Sequence, residues 1–224
     1  MDVSELLAAL EENPQDGTAF EKALTAWIDA GDNEILEQSL AAMSRALVGG
    51  PAAETVLKTL DGAYRRRKDS DAGRIVAWHA GLIAWKAIGD PVRAEFFFRG
   101  VTPEGAREAD WTEFYRGFYA SRGNWLRLEQ FVAEAGERRR WDGTQVKRVL
   151  AQTAHEYNNP SKELSYWQAV AQASADDDEA EAELERLYTQ LERWPSLADL
   201  LKERLKRFDE GDKDVKVAIL RGML

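Results

Sequence analysis

The sequence predicts an all-α protein, an α-solenoid of antiparallel helix pairs with about 12–13 helices. Three observations support this class: helical amphipathic periodicity along the whole chain, short turns that carry helix-ending and helix-starting residues, and an aromatic residue that recurs at a fixed interval. Leu184, Leu187, Tyr188 and Leu191, for example, are spaced so that they lie on one face of a helix. No alternating pattern typical of a strand is present.

Composition indicates a folded chain with an acidic surface. Hydrophobic residues make up 44% and charged residues 31% of the 224 residues, which supplies enough apolar surface for a continuous core. The net charge of −10 repels nucleic acid phosphates and anionic membranes. No apolar run approaches the length of a membrane span. We therefore expect no nucleic acid partner and no membrane insertion.

Cysteine is absent, which excludes disulfides, thiolate metal sites and thiol nucleophiles. The first residues are acidic where a signal peptide would carry basic residues, and their apolar stretch is short. These features predict a cytoplasmic location.

The helix boundaries are marked by short polar segments. In each segment a Gly or Asn can adopt the left-handed conformation that ends a helix, and Asp, Asn, Ser or Pro can begin the next one. The segments are Ala30-Gly31-Asp32, Gly49-Gly50-Pro51, Ile88-Gly89-Asp90-Pro91, Arg122-Gly123-Asn124, Asn158-Asn159-Pro160-Ser161 and Glu210-Gly211-Asp212.

A repeat of about 34 residues is the strongest pattern in the chain. Trp85 and Tyr119 are 34 residues apart, and Tyr188 follows 69 residues later. The segment 75–102 shows the unit most clearly: Trp78 and Trp85 lie two turns apart on a first helix, and a turn follows at Gly89. A second helix then places three apolar residues on one face, namely Ala94, Phe98 and Val101.

This pattern resembles the tetratricopeptide repeat (TPR) family, as a degenerate array of bacterial type. The resemblance extends to a first unit with Phe20, Trp27, Gly31, Leu36 and Leu40, a third with Tyr115, Tyr119, Gly123, Trp125, Leu128, Val132 and Ala135, and a last with Leu184, Tyr188, Trp194, Leu197 and Leu201. It implies a right-handed superhelix that acts as a scaffold for protein partners. Bulky Leu36, Leu128 and Leu197 stand where the family prefers a small residue, which implies a wider helix crossing.

The repeat phase defines the expected domain organisation. Residues 1–48 hold an N-terminal helix and a first TPR-like pair, and 49–70 hold an extra helix that breaks the phase, since Trp27 and Trp85 are 58 residues apart. Residues 71–212 hold four TPR-like pairs. Residues 213–224 begin a further repeat or a capping helix, and we expect either a longer array or self-association through this segment.

An acidic run offers the closest approach to a catalytic motif. Asp177-Asp178-x-x-Glu181 resembles the metal-diphosphate motif of all-α terpenoid synthases, in which carboxylates one turn apart hold Mg²⁺. The run lies at a predicted helix N-terminus, where carboxylates are stabilised by the exposed amides, and a second acidic motif is missing. The two histidines, His79 and His155, lack ligand partners at metal-site spacing. We therefore predict no catalytic residue, no metal and no cofactor, and a protein that is not an enzyme.

Two basic clusters adjoin aromatic residues, which is the composition of a phosphate-binding and stacking surface. They are Arg65-Arg66-Arg67-Lys68 beside Tyr64 and Arg138-Arg139-Arg140 beside Trp141. Both fall in the last turns of predicted helices, where cations satisfy terminal carbonyl groups. Nearby, Phe96 and Phe97 cannot both share the buried face with Phe98, so one of the two is expected to be exposed or to cover a neighbouring repeat.

The resemblance implies a concave partner-binding groove formed by the first helices of the repeats. Carried over residue by residue, the groove comprises His79, Ile83, Lys86, Glu113, Gly117, Arg148, Gln152, His155, Arg186 and Gln190. Its Arg, Lys and His residues favour an acidic or polar protein or peptide, although the Lys and Asn pairing of the family's carboxylate clamp is absent. A self-assembling structural subunit, an RNA-binding helical repeat and an all-α enzyme remain as alternatives.

Overall fold

A computed structural model describes residues 2–101, 105–174 and 176–207, and within them the all-α class is confirmed, because they contain helices and no strand. The helices are α1 (Val3–Glu12), α2 (Thr18–Asp29), α3 (Asn33–Ala46), α4 (Ala53–Arg67), α5 (Asp71–Leu82), α6 (Pro91–Phe98), α7 (Arg107–Ser121), α8 (Trp125–Arg139), α9 (Gly143–Glu156), α10 (Pro160–Ala173), α11 (Asp178–Gln190) and α12 (Trp194–Arg207). A π-helical segment, Ile83–Ile88, continues α5. Among the described helices, none is long and apolar enough to cross a membrane.

The chain divides into two compact units, Met1–Trp111 (unit 1) and Thr112–Leu224 (unit 2), which are described separately. The extra helix expected in 49–70 corresponds to α4 in unit 1. The segment 213–224, predicted to begin a further repeat or cap, lies outside the described residues.

The helix boundaries follow the predicted capping chemistry. Asp32, Asp90, Asn124 and Asn159 each accept a hydrogen bond from a first-turn amide of the helix that they precede. The residue that ends the preceding helix has positive φ, as at Gly89 with 76°. Five of the six predicted boundaries therefore separate helices, and the sixth, Glu210-Gly211-Asp212, lies outside the described residues.

Unit 1 is organised around α5. This helix packs against α3, α4 and α6, and α1 and α2 pack on α3. Residues 75–81 are all buried, so α5 is covered on every side. A helix that is apolar around its whole circumference needs such an environment, and α5 supplies Ile75, Val76, Ala77, Trp78 and Ala80 to the core.

The contact between α5 and α6 requires a glycine. A Cβ atom at Gly81 would lie 2.5 Å from Phe98 Cε1, so the Phe98 ring rests directly on the α5 backbone. The same ring lies against Trp78, with the two centroids 5.2 Å apart. The absence of a side chain at Gly81 thus sets how closely α6 approaches α5.

The π-helical segment changes the helical register after Leu82. Its turn is wider than an α-helical turn, and it ends where Gly89 adopts φ 76° and the Asp90 amide donates to the Ala84 carbonyl over 2.8 Å. Ile83, at the start of the segment, has 0% exposure. Its predicted position on an open groove is therefore corrected: the side chain belongs to the core of unit 1.

His79 is also part of the interior of unit 1. Its Nδ1 lies 3.1 Å from Ser44 Oγ, and its Nε2 lies 3.1 Å from Glu37 Oε1, although this oxygen is off the line of an N–H bond. Arg107 contacts the same carboxylate. Burial would raise the pKa of Glu37, but His79 and Arg107 outweigh burial and hold it below its ordinary value. With 2% exposure, His79 is likewise removed from the predicted groove.

In unit 2 successive helices pack against one another: α8 on α9, α9 on α10, α10 on α11, and α11 on α12. Aromatic contacts join α7 to α8, since the Phe131 ring lies 5.6 Å from Tyr115 and 5.9 Å from Tyr119. Buried Tyr166 on α10 donates to Glu129 on α8 over 2.6 Å. Burial and this carboxylate raise the pKa of Tyr166, so the phenol stays protonated.

The Gly81 contact generates a stability prediction. We expect Gly81→Ala to lower the free energy of unfolding by about 1–3 kcal/mol, because the new methyl group overlaps the Phe98 ring. Urea denaturation followed by circular dichroism measures the change. Gly62→Ala on α4 is the matched control: its Cβ would meet only Arg66 Nη1, at 3.6 Å. We expect that control to stabilise the protein by about 0.5–1 kcal/mol through helix propensity. Equal effects of the two substitutions would contradict the packing described here.

Candidate binding cleft

The predicted groove residue that stays exposed in unit 1 is Lys86. Its Nζ lies 2.6 Å from Asp110 and 4.8 Å from the centre of the Trp85 ring. The ammonium group is therefore already held by a carboxylate and an aromatic face within its own unit.

Two predicted groove residues of unit 2 meet at one buried carboxylate, and a third joins them through a hydrogen bond. Glu163 on α10 is 3% exposed, and its Oε1 lies 3.2 Å from His155 Nδ1 on α9. Arg186 on α11 contacts the same oxygen as well as Glu183, and donates to Gln190 over 3.1 Å. The structure thus brings His155, Arg186 and Gln190 together, and their polar groups stabilise the packing of α9, α10 and α11.

Arg148 forms a second cluster in unit 2. Its guanidinium contacts Asp177 and Glu179 and lies 5.7 Å from the centre of the Trp167 ring. Asp177 also caps α11 by accepting a hydrogen bond from the Ala180 amide over 3.0 Å. The capping role predicted for the acidic run is therefore confirmed. No group of three metal-binding side chains occurs in the part of the chain that the structure describes.

Glu113 and Gln152 are exposed, and in the described ranges no hydrogen bond or ion pair joins either to the other predicted groove residues. Gly117 lies beneath Tyr157, whose Oη would be 2.5 Å from a Cβ at that position. The cations predicted to attract an acidic peptide in unit 2, Arg148 and Arg186, are thus compensated by carboxylates of unit 2 itself. An incoming acidic group would have to compete with these internal ion pairs.

A different surface in unit 1 has the shape of a binding site. A cleft of about 810 Å³ runs along α4, which forms its floor. The floor residues recur at intervals of three or four, so they lie on one stripe of the helix; they are Thr55, Lys58, Thr59, Gly62, Arg65 and Arg66. The opposite stripe of α4, with Val56, Leu60 and Ala63, is buried. The helix therefore joins the core on one face and the cleft on the other.

The first wall of the cleft is the turn before α2 and the start of that helix, residues 15–21. Thr55 Oγ1 donates to the Pro14 carbonyl over 2.6 Å, which links this turn to α4. Gly17 permits the close approach, since a Cβ there would lie 2.9 Å from Thr55 Cγ2.

The second wall is α6, and an arginine links it to α4. Arg93 donates to both carboxylate oxygens of Glu54, each over 2.7 Å, and its Nε donates to Asp90 over 2.7 Å. The Arg93 guanidinium holds the pKa of Glu54 below its ordinary value. The pKa of Asp90 is lowered first by the Arg93 backbone amide and then by the guanidinium. Both walls are therefore tied to the floor by specific polar contacts.

Aromatic side chains line the α6 end of the cleft. Phe97 is buried and Phe96 is 44% exposed, which confirms that one of this pair lies at the surface. The Phe96 ring meets Tyr64 edge-on, with centroids 6.0 Å apart. A shallower groove of about 520 Å³ continues past Phe96, lined by Tyr64, Arg65, Lys68, Phe96, Arg99 and Gly100.

The repeat pattern did not predict this cleft. Its elements were nevertheless visible in the sequence as the surplus helix, the basic run beside Tyr64 and the adjacent phenylalanines. What the sequence lacked was the placement of α2 and α6 on either side of α4.

The Arg93 link generates a prediction about the Glu54 carboxyl group. We expect Arg93→Gln to return the pKa of Glu54 to its ordinary value, because the guanidinium that stabilises the charged form is removed. An NMR pH titration of the Glu54 side-chain carboxyl measures this directly. Because the folded-state pKa is depressed, the link stabilises unit 1 above the ordinary glutamate pKa, and the contribution is lost as the pH falls through the folded-state value.

Arg99→Gln is the control for this titration, because Arg99 pairs with Glu95 and not with Glu54. An unchanged Glu54 titration in Arg93→Gln would show that the two helices are not linked in this way.

Comparison with known proteins does not assign this chain to a family. No protein-family model matches the chain, and no curated protein matches it. The cleft is therefore interpreted from its own shape, contacts and charges.

Proposed function

We propose that the protein is a non-enzymatic helical scaffold, built as a TPR-like solenoid, that binds a polypeptide segment of a partner protein. The observation that carries the proposal is the cleft of about 810 Å³ between α2, α4 and α6. We place the partner there and not at the repeat-derived groove, because His79 and Ile83 are buried and Arg148 and Arg186 are already paired.

The dimensions of the cleft suit an extended peptide. Its floor runs from Glu54 to Arg66, a length of about 18 Å along a helix. A peptide in extended conformation covers that distance with about five or six residues. The cleft is open to solvent, so a segment within a longer chain can enter from the side.

The lining offers the mixture of groups that polypeptide recognition uses. Thr59 and Lys58 offer polar groups to the backbone and side chains of a partner, and Phe96 offers an exposed apolar surface. The acidic run that most resembled a metal site caps a helix and pairs with Arg148, which supports a role other than catalysis. A cysteine-free chain is compatible with a reducing compartment, and we propose a cytoplasmic location.

Peptide selection tests the proposed site. Random twelve-residue peptides displayed on phage are selected on the immobilised full-length chain and then tested against two tryptophan variants. We expect the selected peptides to lose binding at least tenfold to Gly62→Trp, because the new indole ring fills the middle of the cleft floor.

Gly143→Trp is the matched control. Gly143 is exposed on α9 of unit 2, and a Cβ atom there would meet nothing within 4 Å. Binding to this control should stay within about twofold of the unmodified chain. Selected peptides that bind Gly62→Trp as well as they bind the unmodified chain would reject the cleft as the partner site.

A further inference from the structure

Some of the cationic side chains along α4 form ion pairs within the described part of the chain, and others do not. Arg65 and Arg67 pair with Asp61 and Asp29 over 2.9 and 2.8 Å. Lys58, Arg66 and Lys68 are exposed and have no ion-pair partner among the residues that the structure describes. Lys58 and Arg66 line the cleft and Lys68 lines the shallower groove, and Phe96 lines both, in a chain of net charge −10.

The acidic residues of the cleft do not cancel these charges. Asp61 is paired with Arg65, whereas Glu54 and Asp90 share Arg93, so this last group carries one net negative charge. Glu21 on α2 is the remaining carboxylate in the lining. The unpaired charges that face the cleft and the shallower groove therefore sum to a positive value.

An apolar surface lies beside these cations. Phe96 presents much of its ring to solvent, while Tyr64 and Phe97 meet it edge-on and the Arg65 guanidinium lies 5.6 Å from its centroid. Tyr64 Oη packs over Gly100, where a Cβ would lie 2.7 Å away. In the described part of the chain this hydroxyl has no hydrogen-bond partner, so its donor is available to a ligand.

We propose that this surface, which we define as the α4–α6 face (Tyr64, Arg65, Arg66, Lys68, Phe96 and Arg99), binds an acidic peptide segment that contains a large apolar residue. The apolar side chain packs on Phe96, and flanking carboxylates meet Arg66 and Lys68 and accept from Tyr64 Oη. The inference rests on the proposed function and names the chemistry of the partner at the same cleft.

Charge favours an acidic peptide over a nucleic acid as the occupant. A nucleic acid strand carries a phosphate at every nucleotide and extends beyond three cations into the acidic surroundings of this chain. The exposed rings also meet one another edge-on and offer a single partly exposed face, whereas base recognition uses a series of open ring faces. A short acidic segment requires only the local cations and one apolar contact.

Defined probes test the proposal on the full-length chain by fluorescence anisotropy at low salt. The main probe is a labelled nonapeptide of aspartates and glutamates with a central tryptophan. Three comparison probes are used. The first peptide carries lysines in place of the acidic residues, and the second carries alanine in place of tryptophan. The third probe is an oligouridylate of nine nucleotides. We expect the acidic tryptophan peptide to bind at least about tenfold more tightly than each comparison probe.

The double variant Arg66→Glu with Lys68→Glu reverses the two cations of the α4–α6 face that have no ion-pair partner among the described residues. We expect it to weaken the acidic tryptophan peptide by about tenfold, and the loss should shrink as salt is added. The matched control is Arg193→Glu with Lys202→Glu, which changes the net charge equally at two exposed cations of unit 2. That control should bind within about twofold of the unmodified chain. Circular dichroism melting verifies that both double variants are folded.

Failure of the acidic-peptide proposal can be distinguished from failure of the proposed function. Phage-selected peptides that are blocked by Gly62→Trp but unaffected by the charge reversal would overturn the acidic partner and leave the polypeptide cleft intact. Tighter binding of the oligouridylate, lost on charge reversal, would make the face a nucleic acid surface and overturn the proposal. An acidic peptide affected equally by both double variants would show that overall charge, and not this face, governs binding.

Discussion

The burial of α5 is the constraint on which the rest of unit 1 depends. Seven consecutive residues of this helix are inaccessible, so α3, α4 and α6 must surround it. The approach of α6 is set by the contact of Phe98 with the bare backbone at Gly81. Since α4 packs on the same helix and on the π-helical segment, α4 and α6 are held as two sides of one structure, and the cleft lies along their outer surfaces.

Helix α4 contributes to both the core of unit 1 and the cleft. The apolar stripe of α4 completes the cover of α5, and its polar stripe becomes the floor on which the proposed partner lies. The two walls are attached to it by polar links of different kinds, a threonine hydroxyl to a carbonyl and a bidentate arginine to a carboxylate. Such links are weak individually at the surface but specify the spacing between elements.

The sequence predicted the helices well because their boundaries depend on local chemistry. A glycine with positive φ, or an aspartate or asparagine beside the first amides of a helix, acts within a few residues.

The sequence predicted the groove poorly because that surface depends on the packing of helices and on ion pairs between residues far apart in the chain. His79 and Ile83 are buried because other helices surround α5 and the segment that continues it, an arrangement that no local pattern contains. Arg148 meets carboxylates 29 and 31 residues away, which no local pattern contains. A helix within 49–70 was predicted from the repeat spacing, but the roles of its two faces depend on the packing of α2, α5 and α6 around it. The TPR resemblance stays a prediction.

The proposed function places polypeptide recognition along α4. Amide chemical-shift mapping of the isotopically labelled full-length chain, titrated with a selected peptide, tests it most directly. We expect shift changes concentrated in the cleft floor between Thr55 and Arg66 and on α6 between Arg93 and Phe97. Changes centred instead on Lys86, Arg148, Gln152 and Arg186, with α4 unaffected, would contradict it and favour the repeat-derived groove.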